Sequence, residues 1–139
     1  MIKLSIKITF SLLVIVFVLI LLGMYVPGVG TKLFKIAGPV IIFSELIAFL
    51  LLGTILIIQT FKNRVERPLK KFLLLTGISA VGFFVFVLLH NLVSGLLSII
   101  FSKEIEEPIF FLLAIIVCPI GFLAGVIGSI WKGRIHLKH

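Results

Sequence analysis

One carboxylate stands alone inside an otherwise uncharged stretch. Glu45 is the only formally charged residue within residues 36–61. Counted from the start of that run, it would lie about 13 Å along a helix. An acidic side chain at that depth in a bilayer costs roughly 3 kcal/mol on insertion scales, and such residues mark ion or proton paths. The chemistry it offers is reversible capture of a proton or small cation. The competing reading, which the residues favour, is a protonated or hydrogen-bonded glutamate that joins helices. Its candidate partners are Ser44, Thr54, Ser79 or another subunit.

A second polar group is His90 with Asn91, near the end of the third apolar run. Haem needs a second axial ligand, and the other histidines, His136 and His139, fall in the C-terminal tail, a membrane thickness away. Haem within one chain is therefore not expected. His90 and Ser94 are spaced i, i+4 and could share a hydrogen bond on one helix face. No orienting carboxylate accompanies them, so a nucleophilic dyad is poorly supported. The reading adopted is a polar pair closing the helix end. Glu45, His90 and Asn91 together form the one candidate intramembrane polar site.

Other chemistry lacks its residues. The five acids are all glutamate and aspartate is absent, so no aspartyl-phosphate or aspartic dyad can form from this chain. The single Cys118 has no disulfide or metal partner. No Walker loop, HExxH, CxxC or dinucleotide fingerprint occurs. The expectation is a chain without cofactor, metal or catalytic function.

The elements that must position these residues follow from composition. Hydrophobic residues make up 61% and charged residues 13%, against about 45–50% and 25% in soluble domains. No water-facing surface can be built from the remainder, which excludes a soluble enzyme. Four runs, residues 8–26, 36–61, 72–102 and 108–131, are uncharged or nearly so. A helix needs about 20 apolar residues to cross a bilayer, and each run suffices. A β-barrel would alternate apolar with polar residues, and nothing here alternates.

The expected fold is one all-α transmembrane domain over 1–139, a compact antiparallel bundle of four helices at about 6–26, 37–61, 69–93 and 108–131. The first run has Lys3 and Lys7 ahead of it, like a signal peptide. It is longer than a signal core and lacks a small-residue cleavage site, so it is read as a retained helix. At about 46 Å the third run is too long for a simple crossing. A break is expected at Ser94–Gly95, with an interfacial segment over 95–102. A single extended helix is the alternative.

Positive charge orients the chain. The N-terminal segment, the segment between helices 2 and 3 and the C-tail share one side and carry ten Lys or Arg residues. Lys32, Lys35 and Lys103 lie opposite. The positive-inside rule puts both termini in the cytoplasm, with Tyr25 and Trp131 as interfacial anchors. The net charge of +8 thus needs no nucleic acid. The Lys62–Lys71 segment could also touch anionic headgroups.

Local signals complete the picture. Pro68 and Pro108 sit ahead of helices 3 and 4, beside Glu104, Glu106 and Glu107 at a positive helix terminus. Pro27-Gly28-Val29-Gly30 should end helix 1 and turn the chain. Pro119 should kink helix 4 by freeing the Ile115 carbonyl. Gly121, Gly125 and Ser129, with Gly128 beside them, form a small-residue seam for close helix packing, within the chain or between copies. A weak likeness between Pro39-Val40-Ile41 and Pro108-Ile109-Phe110 does not establish a duplication. The function expected is non-catalytic helix–helix association, as a subunit or accessory of a membrane complex or as a homo-oligomer. The alternative is a minimal oligomeric transporter or channel centred on Glu45. Unequal charge on the two sides argues against a dual-topology dimer. A prokaryotic plasma membrane fits the Ile-, Phe- and Lys-rich composition.

Overall fold

The computed structural model describes residues 3–25 and 29–135, with side chains for residues 3–23 and 40–133. Every described element is a helix, as lipid requires, since only internal hydrogen bonds can satisfy the backbone there. The elements are α1 (Leu4–Tyr25), α2 (Val29–Lys62), α3 (Arg67–Phe101), α4 (Pro108–Leu112), a π turn (Leu113–Val117) and α5 (Cys118–Ile135). α4, the π turn and α5 run on without a gap and make the fourth span, so four helical stretches are long and apolar enough to cross a membrane.

Neighbours in sequence are neighbours in space, and each pair is antiparallel. Gly121, Gly125 and Gly128 of α5 face Ser79, Thr76 and Phe72 of α3 in reversed order. Gly53 of α2 lies against Gly77 and Ala80 of α3. Lys3, just before α1, lines a groove with residues 62–65 at the far end of α2. α3 is thus the central helix, packed on α2 by one side and on α5 by another.

The bundle axis is filled by one phenylalanine from each span. Phe17 stacks on Phe122 with ring centroids 4.2 Å apart, and Phe49 lies 5.4 Å from Phe122. Phe83 meets Phe49 edge-on at 6.0 Å. Leu13, Leu56, Leu73 and Ala80 extend this core along the axis, all buried. Aromatic pairs at such distances add about 0.5–1.5 kcal/mol each beyond area burial.

Two expectations change. The break at Ser94–Gly95 is absent: α3 is helical for 35 residues, about 52 Å, and 95–101 extend it. It stops only at Ser102, which adopts the left-handed conformation (φ 50°). Gly95 faces open space, so it marks neither a bend nor a contact. Second, α2 begins at Val29 and not near 37, so Val29, Gly30, Lys32 and Lys35 belong to the helix. Pro27 and Gly28 lie outside the described residues, as do His136, Lys138, His139 and the side chain of Tyr25. In the fourth span a π turn over Leu113–Val117 ends two residues before Pro119.

Candidate functional site

Glu45 lies on the inward face of α2, one turn from Phe49, and is half-buried. No hydrogen bond or ion pair to it occurs among the described residues. Ser44 and Thr54, its proposed partners, bond instead to their own helix, donating to the carbonyls of Ile41 (2.7 Å) and Leu50 (2.8 Å). Ser79 is buried against Gly121 on the α5 side of α3.

Beside Phe49, an apolar cavity is lined by Phe17, Ile20, Leu21, Phe83, Ile115 and Pro119. Two of those residues belong to the π turn and the proline after it. The Cys118 N–H reaches back to the Leu113 carbonyl in π register. Pro119 has no N–H, so it serves neither Ala114 in π register nor Ile115 in α register. The Ile115 carbonyl therefore lacks its α-helical donor.

His90 is not joined to Glu45. Its Nδ1 donates to the Glu107 carbonyl at 2.7 Å, since a carbonyl can only accept. That assignment leaves Nε2 as the ring's second site. The ring also tilts against Phe111, centroids 5.2 Å apart. Ser94, one turn on, accepts from the Glu107 N–H at 2.9 Å. Ser98, another turn on, accepts from the Ile105 N–H at 3.0 Å and donates to the Ile105 carbonyl at 3.4 Å. Three polar side chains at i, i+4 and i+8 thus hold the chain that enters α4. Asn91 is exposed and bonds to the Val87 carbonyl, so it takes no part.

Glu107 is the residue that sequence reasoning placed but did not single out. It is 8% exposed, and its carboxylate caps α4 by accepting from the N–H groups of Ile109 (2.6 Å) and Phe110 (2.9 Å). The same carboxylate lies 3.8 Å from His90 Nδ1. The available signal was Pro108: a proline opening a helix makes the preceding residue its cap. His90 and Ser94 do not bond to each other, so the i, i+4 pair is a clasp on Glu107 and not a dyad.

The glycine seam is spent inside the chain. A Cβ on Gly121 would come within 2.6 Å of Ser79 Oγ, and one on Gly125 within 2.7 Å of the Thr76 backbone nitrogen. One on Gly128 would enter the Phe72 ring. Ser129, at the end of the seam, is buried with its hydroxyl unpaired among the described residues. Gly53, which no motif flagged, makes the matching approach on the other side of α3, 3.1 Å from the Gly77 carbonyl by the same measure. No group of three or more His, Cys, Asp or Glu suited to a metal occurs among the described residues. Comparison with protein-family models, curated proteins and solved structures found no match.

Proposed function

We propose that the chain is a non-catalytic multi-pass protein of a prokaryotic plasma membrane, with both termini cytoplasmic. It acts by helix–helix association, as a subunit or accessory of a larger complex. The observation that carries this reading is the filled axis: Phe17, Phe49, Phe83 and Phe122 occupy the centre. His90, Ser94 and Glu107, for their part, hold helix ends together. Room for another helix is greatest along α2, whose span is 17% buried against 28–33% for the other three. The orientation rests on the charge distribution. Lys3, Lys7, Lys62, Arg64, Arg67, Lys70, Lys71 and Lys132 gather at one end, and Lys103 shares the other with three glutamates.

Native mass spectrometry of the protein released gently from its own membrane tests the reading. A stoichiometric foreign chain supports a subunit role, and a monomer with no companion overturns association. A homo-oligomer alone turns attention to a second reading, transport through Glu45. What favours that reading is a half-buried carboxylate in an apolar span, without a described partner. Liposome flux that survives Glu45→Gln would remove it.

A further inference from the structure

We propose that the groove between the start of α1 and the end of α2 is a binding site for the phosphate group of an anionic lipid. Lys3, Lys62, Asn63, Arg64 and Val65 line it. Its volume of about 380 Å³ is within the range of small-molecule sites, ~300–1,000 Å³. Three cations separated by some sixty residues of sequence converge there, and none of the lining residues is acidic.

The groove has the parts that phosphate recognition needs. Arg64 supplies a planar fork that can hold two phosphate oxygens, and Lys3 and Lys62 supply point charges. Lys3 also sits at the positive end of α1. The opposing α2 terminus is partly neutralised: the Gln59 carbonyl already accepts from the Asn63 backbone N–H (3.0 Å) and from Asn63 Nδ2 (2.6 Å). Asn63 thus pins the turn on which Lys62 and Arg64 stand.

The position selects a lipid and not a soluble phosphate. This end of the bundle carries exposed Trp131 with Lys132 Nζ 5.6 Å above its ring, and Lys70 Nζ lies 5.0 Å from the Phe61 ring. Aromatic rings paired with lysines are residues of the headgroup level. The groove is flanked by the apolar bodies of α1 and α2, which leave acyl chains a surface to run along. The basic segment 62–71 therefore divides. Lys62 and Arg64 serve the groove with Lys3, whereas Lys70 is turned to Phe61 and Lys71 lies a turn into α3.

The test is lipid retention by the full chain, measured by native mass spectrometry from mixed micelles of phosphatidylcholine and phosphatidylglycerol in equal parts. The wild type should retain phosphatidylglycerol in preference. Lys3→Gln and Arg64→Gln should each reduce that preference about ten-fold, the loss of one charge-assisted hydrogen bond to phosphate. Lys71→Gln and Lys132→Gln, charges outside the groove at the same end of the bundle, should leave it within about two-fold. All four variants change surface residues, and unchanged helical content and elution position confirm their folding. Equal losses from all four would mean a diffuse basic field and overturn the site, as would absence of any preference. Binding of inorganic phosphate without lipid preference would overturn the lipid assignment. So would an acidic protein that co-purifies with wild type and is lost from Arg64→Gln, if lipid preference is absent.

Discussion

Between Phe72 and Ser79, α3 meets α5 through contacts too close for a side chain. Gly121, Gly125 and Gly128 present bare backbone to Ser79, Thr76 and Phe72. Between His90 and Ser98 the same helix holds the same span by hydrogen bonds to the backbone of Ile105 and Glu107. The environments explain the contrast. Along an apolar span lipid is as apolar as the helices, so association depends on close van der Waals approach, which small residues allow. At the turn between α3 and α4 the backbone leaves the helix, and each freed N–H and carbonyl needs a partner. A row of glycines answers the first demand and a row of short polar side chains the second.

Breaking the steric half should have the largest effect. Gly125→Leu would drive its side chain into the Thr76 backbone and the Phe72 carbonyl, neither of which can yield without moving α3. The expected outcome is loss of monodisperse, helical protein on size exclusion. A variant that elutes and melts like wild type would remove the seam from the account.

Glu107→Ala attacks the polar half at its centre. It deletes a cap that accepts two N–H bonds and the carboxylate nearest His90. A loss of about 2 kcal/mol is expected, read as a lower thermal midpoint in detergent. The amides of Ile109 and Phe110 should exchange faster while the α3–α5 seam stays protected. Ser98→Ala touches only the outermost rung and should cost about 1 kcal/mol, with exchange increased at Ile105 alone.

The smallest effect belongs to Gly95. Nothing lies within 4 Å of a Cβ placed there, and the residue is mid-helix, so Gly95→Ala should be neutral or stabilise by up to ~1 kcal/mol. A destabilisation as large as that from Gly125→Leu would mean that α3 bends at Gly95, as its sequence suggested.

The third helix shows how far sequence reasoning carries. Length beyond one bilayer crossing argued for a break, and Ser94–Gly95 was the natural place. The structure uses Ser94 to receive the Glu107 N–H, which anchors the extended helix. Nothing in the pattern around residue 94 signalled a partner thirteen residues away. Helix 4 was more legible, because GxxxG declares close approach without naming the partner. Glu45 is legible in the sequence as a lone carboxylate in an apolar run, yet Ser44 and Thr54, proposed to receive it, bond to their own helix. Gly53 carried no signal, since a single glycine in a helix packs closely only if a second helix is there.

The sequence alone determined the number of spans and the concentration of positive charge at one end. Those properties depend on bilayer thickness and on the transfer cost of each residue, which are local quantities. Only the tertiary structure decided which faces meet. These spans are apolar on nearly all sides, so lipid and neighbouring helices are nearly equivalent surroundings for any one of them. Steric fit breaks that equivalence, as when Phe17, Phe49, Phe83 and Phe122 converge from four spans. The same chain reversal that brings those rings together sets Lys3 beside Arg64, a neighbourhood no linear reading contains.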